Sequence, residues 1–227
     1  MRYINHDMWS KTMKNIGWCC FLLVITSLSI LPAAAQSEVE FPVILAIGES
    51  TTAGFGVPAA DSYPSQLQRL LDEHGYSWRV VNHGRSGSTT AMALSGLDRG
   101  MLLQPKIVII ALGGNDQGSV AAARTKENLR KLVSMFVRTD ALVFLADRNL
   151  SADRRNTATP SIYAELAEEE GVILMPSLRD GVAGHPELLL SDGSHPNGEG
   201  YTIVANRIFN ILEPYLLEQD NSVTENP

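Results

Sequence analysis

Four short apolar runs, "VILAI" (43–47), "IVIIAL" (107–112), "ALVFLA" (141–146) and "VILM" (172–175), set the strongest limit on what this chain can fold into. They are rich in Val and Ile and do not alternate with polar residues. A strand with one wet face alternates. A strand buried on both faces does not, and burial on both faces belongs to parallel sheets covered by helices. A weaker fifth run is "WRVV" (78–81). Between the runs lie stretches with helical spacing, at 62–74, 89–103, 119–137, 160–169 and 198–217. Strand and helix therefore alternate throughout, which predicts an α/β fold: a three-layer α/β/α domain around a five-stranded parallel sheet. The second and fifth runs are the shortest and suit the sheet edges, which favours the order 2-1-3-4-5.

The first 35 residues do not read as part of that domain. Arg2, Lys11 and Lys14 precede the uncharged stretch "IGWCCFLLVITSLSILPAAA", which ends in small residues before Gln36. A basic flank, an apolar core and an Ala-x-Ala end describe a secretory signal peptide, with cleavage expected after Ala35. The alternative is an uncleaved membrane anchor. Pro32 and the alanine run count against it. The expected organisation is a leader at 1–35 and one domain at 36–227 with short polar ends, the last being "EQDNSVTENP". Such a protein is secreted or periplasmic, with no stable membrane insertion once the leader is removed.

Both cysteines, Cys19 and Cys20, lie inside the leader. The remaining chain has no thiol for a disulfide, a cysteine nucleophile or a cysteine metal site. The full chain carries a net charge of −7 and no basic run. An acidic chain of this kind is a poor partner for nucleic acid.

Ligands of open α/β sheets bind beyond the carboxyl ends of the strands, where the strand order reverses. Here that point lies between the first and third strands. After strand one comes "GEST", with Ser50; after strand three comes "GGND", with Asn115. Strand two is followed by "HGRSGSTT", with Gly87, and beyond strand five stands "SDGSHPNGEGY", with Asp192 and His195. Four loops on one sheet edge thus supply a hydroxyl, an amide, a backbone donor and an Asp–His pair.

Ester hydrolysis needs this set. A hydroxyl attacks a carbonyl when a base takes its proton, and imidazole does so near neutral pH. A carboxylate can hold the imidazole in one tautomer and stabilise it once charged. The oxygen of the tetrahedral intermediate needs donors already in place, here the N–H groups of Ser50 and Gly87 and the Asn115 amide. Ser50 also falls at a helix N-terminus, where the dipole favours developing negative charge.

These residues resemble the SGNH hydrolases, also called GDSL esterases and lipases. The four family blocks occur in order as "GESTTAG", "SGSTT", "GGND" and "DGSHP", and the resemblance spans about residues 42 to 216. It is nearest to the secreted bacterial branch of arylesterases and thioesterase–lysophospholipase enzymes. The resemblance implies a flavodoxin-like sheet, no cofactor, no metal, and hydrolysis of esters or thioesters through an acyl-enzyme. It makes Ser50, His195 and Asp192 the catalytic residues and Ser50, Gly87 and Asn115 the oxyanion donors. Two departures stand out. Glu49 precedes the nucleophile where the family usually has aspartate. The loop "QGSVAAA" (117–123) is small and polar where the nearest branch often carries bulkier apolar residues. If that loop walls the acyl pocket, short-chain esters are the expected substrates.

Other readings use parts of the same pattern. Ser50 alone could cap a helix, Gly87 could be a turn residue, and Asn115 could tighten a loop. His83 reads as a structural or rim residue; Glu49 and Asp116 read as acceptors for loop N–H groups. An α/β-hydrolase would show G-x-S-x-G, which is absent. A dinucleotide site would need a third glycine in "GFGVPA". A polysaccharide O-deacetylase, a lysophospholipase or a thioesterase could use the same residues on a small-molecule or polysaccharide ester. An inactive periplasmic binding module would keep the fold but lose the triad.

Overall fold

The computed structural model describes residues 41–148 and 161–224. The expected leader lies outside them. Five strands form one parallel sheet: β1 (Val43–Gly48), β2 (Arg79–Gly84), β3 (Ile107–Ala111), β4 (Leu142–Ala146) and β5 (Ile173–Met175). Their order is β2-β1-β3-β4-β5, as the run lengths predict. The principal helices are α1 (Ser50–Ala53), α2 (Tyr63–Glu73), α3 (Thr90–Ser95), α4 (Asp98–Met101), α5 (Ala122–Val137), α6 (Ile162–Glu170) and α7 (Gly198–Thr224).

The two faces of the sheet explain the absence of alternation. Successive side chains of a strand point to opposite faces. Ile44, Ala46, Ile107 and Ile109 meet Leu67 and Leu71 of α2 and Val204, Ile208 and Leu212 of α7. Leu45, Ile47, Val108 and Ile110 meet Leu129, Leu132, Val133 and Phe136 of α5 and Leu166 of α6. Both faces are therefore core. Each buried Ile or Leu contributes about 1.5–3 kcal/mol, so a polar residue on either face of β1 or β3 would forfeit that and strand a polar group.

Three elements differ from the sequence expectation. β2 runs on through Asn82, His83 and Gly84, which places His83 inside the strand rather than after it. As an edge strand it is half exposed along its length, so polar residues cost little there. The helix expected over 89–103 is two short ones, α3 and α4. Gly96 ends the first, while Thr89 caps its start by accepting from Met92 N at 3.3 Å. The last helix continues to Thr224, through most of the expected polar end, because no proline or glycine lies between Pro214 and Thr224 to stop it.

Candidate active site

The turn from β1 into α1 depends on Gly48. A Cβ at that position would sit 2.0 Å from Thr52 Oγ1, so only glycine lets the chain fold back this tightly. Glu49 occupies the cap position of α1 without a side-chain cap bond, and α1 ends after one turn at Gly54, φ +80°. Ser50 is therefore not the cap. A four-residue helix also supplies far less dipole than a full one, so the local N–H groups matter more than the expected macrodipole.

The Ser50 hydroxyl lies 2.8 Å from Nε2 of His195, across 145 residues of sequence. His195 Nδ1 in turn lies 2.7 Å from Asp192 Oδ2. The other carboxylate oxygen, Oδ1, accepts from the N–H of Ser194 at 2.9 Å and of His195 at 3.0 Å. These two N–H groups, His195 first, and then the His195 ring pull the Asp192 pKa from 3.8 down to about 2. An ionised carboxylate only accepts hydrogen bonds, so the proton of neutral His195 belongs on Nδ1, and Nε2 is left to accept from Ser50. The loop is pinned at its base, where Leu190 N donates to His195 O at 2.8 Å. The Phe55 ring packs on His195, with centroids 4.5 Å apart.

Glu49 has a different task. Its carboxylate crosses to the loop after β3, accepting from Gly114 N at 3.1 Å, Asn115 N at 3.0 Å and Asn115 Nδ2 at 2.6 Å. Burial raises its pKa, against the lowering effect of the Asn115 and Gly114 N–H groups. The extra methylene of glutamate thus still lets the carboxylate bond the loop after β3. Asp116 is buried and accepts from Thr90 N at 3.2 and 3.3 Å. Both acids hold loop N–H groups, as the sequence suggests.

Asn115 Nδ2 also donates to Ser88 O at 3.0 Å, tying the loop after β3 to the loop after β2. This brings Asn115 and Gly87 to the same edge. Gly87 is exposed, with φ +78°, and a Cβ there would meet nothing within 4 Å, so its backbone angle alone requires glycine. Both hydrogens of the Asn115 amide are engaged, and donation to an oxyanion needs one of them to be shared or exchanged.

A cleft of about 250 Å³ opens beside Ser50. Its walls include Leu112, Asn115, Arg148, Leu178, Arg179 and His195. Residues 117–123, expected to form the acyl wall, do not line it; the loop after β5 does. Gln117 reaches it only by accepting from Arg148 Nη2 at 2.6 Å. Arg148 and Arg179 carry no spacing motif that would announce them. The available signal is position: each follows a strand of a parallel sheet on the edge where the other loops converge. Among the described residues no three of His, Cys, Asp and Glu group as metal ligands.

Known proteins share this arrangement of chain. Residues 46–203 match the model of the GDSL-like Lipase/Acylhydrolase family. An arylesterase of Vibrio mimicus is 33% identical over 202 residues, covering 86% of this chain and 98% of that protein. The thioesterase 1/protease 1/lysophospholipase L1 of Escherichia coli (strain K12) is 29% identical over 202 residues, covering 87% and 93%. The crystal structure of TesA superimposes with a TM-score of 0.68 at 28% identity, covering 76% of this chain and 98% of its own. With the sheet order and the family match in agreement, the chain belongs to the GDSL-like lipase/acylhydrolase family, the SGNH hydrolases, and is a carboxylic ester hydrolase.

Proposed function

We propose that the protein is a serine esterase that cleaves short-chain carboxylic esters through an acyl-enzyme. Ser50 is the nucleophile, His195 the general base and then general acid, and Asp192 the group that orients His195. The observation that carries this reading is the unbroken chain Ser50–His195–Asp192, at 2.8 and 2.7 Å. His195 Nε2 takes the Ser50 proton as Oγ bonds to the ester carbon. The carbonyl electrons move onto oxygen, where the N–H groups of Ser50 and Gly87 and the Asn115 amide receive the charge. Collapse expels the alcohol, protonated by His195, and water repeats the sequence to release the acid. The test is labelling by a fluorophosphonate together with turnover of para-nitrophenyl butyrate. Absence of both would remove the serine-esterase reading.

The same residues would serve a thioester, and the name of the Escherichia coli relative supports that second reading. Neither needs a cofactor. Secretion or a periplasmic location follows from the leader-like start; the amino terminus of the exported protein is expected at Gln36, and a chain retaining Met1 in a membrane fraction would replace export with anchoring.

Asn115→Ala is expected to lower kcat by about 10²–10³ with little change in KM, because an oxyanion donor acts in the transition state. Steady-state kinetics on one ester decide this. A raised KM at unchanged kcat would make Asn115 a ground-state binding residue instead.

Acyl preference follows from the cleft. A methylene placed against apolar wall gains about 0.8 kcal/mol, and one left in water gains little. Leu112 and Leu178 offer some apolar wall, but Arg148, Arg179 and Ser177 make much of the rest polar. On a series of para-nitrophenyl esters, kcat/KM is expected to peak between acetate and butyrate and to fall by octanoate. A maximum at decanoate would overturn the short-chain assignment and favour a lysophospholipid or long-chain thioester.

A further inference from the structure

We propose that the substrate carries a negatively charged group close to its ester carbonyl, and that Arg148 and Arg179 receive it. The inference rests on the esterase reading above and names the class of ester within it. Both arginines are half-buried and both line the cleft that holds Ser50 and His195. Arg148 follows β4 and Arg179 lies four residues beyond β5, so two separate loops bring guanidinium groups to one cavity.

Among the described residues neither arginine forms an ion pair, whereas Arg130 and Arg207 each pair with a carboxylate. Their direct hydrogen-bond partners are neutral. Arg148 Nη2 donates to Gln117 Oε1 at 2.6 Å; Arg179 Nη1 donates to Ser194 O at 2.9 Å and approaches Ser194 Oγ at 3.5 Å. A guanidinium has five N–H donors, so most of them remain for a ligand. Glu49 lines the same cleft and feels the Arg148 charge, but neither it nor Asp192 forms a direct ion pair with either arginine. Glu49 accepts from three N–H groups of the β3 loop, and Asp192 from its own loop and His195.

A purely structural role explains less. Holding Gln117 or Ser194 O needs a donor, not a charge, and a half-buried cation with no directly bonded counter-ion costs desolvation that a bound anion would recover. The chain as a whole has a net charge of −7, so its long-range field repels anions. Two cations beside the nucleophile, hydrogen-bonded to neutral groups and facing the cleft carboxylate Glu49, oppose that field locally. Guanidinium binds carboxylate and phosphate with paired donors, which makes arginine suited to this task. The charge can sit on the acid or on the alcohol side of the ester; the recognising chemistry is the same.

The experiment compares kcat/KM for charged and neutral esters of matched shape at low salt. On the acyl side the pair is the mono-para-nitrophenyl ester of adipic acid and para-nitrophenyl hexanoate. On the alcohol side it is para-butyryloxybenzoate and its methyl ester. In the wild type one charged ester is expected to exceed its neutral partner by about tenfold, the factor that one charge-assisted hydrogen bond supplies. The ratio should fall toward one in Arg148→Gln/Arg179→Gln, survive in part in the double lysine variant, and shrink with salt. Either single glutamine variant gives the same readout if the double one does not fold. A wild-type ratio at or below one in both pairs, or a ratio unchanged by the glutamine substitutions, overturns the proposal. Because each ratio is internal to a variant, a general loss of activity does not imitate the expected result. If neutral esters are cleaved without charge preference, only this inference falls; if the wild type cleaves no ester, the esterase reading falls and takes the inference with it.

Discussion

Replacing Ser50 or His195 with alanine is expected to lower kcat on para-nitrophenyl butyrate by about 10⁴-fold or more, and replacing both is expected to cost little beyond either alone. The reason is the 2.8 Å contact between Ser50 Oγ and His195 Nε2. A serine hydroxyl without its base is a weak nucleophile, and the imidazole without the hydroxyl has no bound nucleophile to deprotonate. The remaining rate comes from the oxyanion donors and substrate binding, which both substitutions leave in place. Neither side chain belongs to the core clusters, so thermal unfolding should move little in any of the three variants. Independent, multiplying losses in the double variant would show that the two residues do not act as a unit.

The parts of this fold that are legible in the sequence are those where one physical requirement dominates. β1 and β3 are packed on both faces, so every position must be apolar and the run is unmistakable. β2 is half visible because an edge strand tolerates Asn82 and His83, which read as loop. The break between α3 and α4 is hidden because Gly96 sits inside an otherwise helical spacing, where glycine lowers helix stability without forbidding it. Ser50, Gly87, Asn115, Asp192 and His195 are legible through their place after strands and their ordered blocks. The span of Glu49 across to Gly114 and Asn115 is not, because sequence carries no distance between residues 65 apart. Proximity in sequence to Asn115 assigns the cleft wall to residues 117–123, yet the chain turns away there, with Ser119 N and Val120 N bonded back to Asp116 O. Arg148 and Arg179 belong to no block, and only their convergence in space marks them.

Asp192→Asn should lower kcat by about 10⁴, with KM nearly unchanged, by reversing the tautomer of His195. In the wild type Asp192 Oδ1 accepts two backbone N–H bonds while Oδ2 faces His195 Nδ1. An asparagine keeps its oxygen with the two N–H donors, since turning the amide over would set NH₂ against both of them. Its nitrogen then faces Nδ1 as a donor. His195 would respond by carrying its proton on Nε2, which puts N–H where the Ser50 proton must be accepted. The same reasoning sets the pH dependence. A carboxylate whose pKa falls from 3.8 to about 2 on folding stabilises the fold fully above 3.8, and that contribution is lost only as pH drops toward about 2. Asp192 is therefore ionised throughout the range in which activity is measured, and an acid limb between about pH 4 and 8 cannot come from its protonation. Kinetics of Asp192→Asn across that range decide the matter. Wild-type kcat in the variant would remove Asp192 from the mechanism. A loss confined to KM would make it a residue that shapes the cleft rather than one that sets the proton on His195.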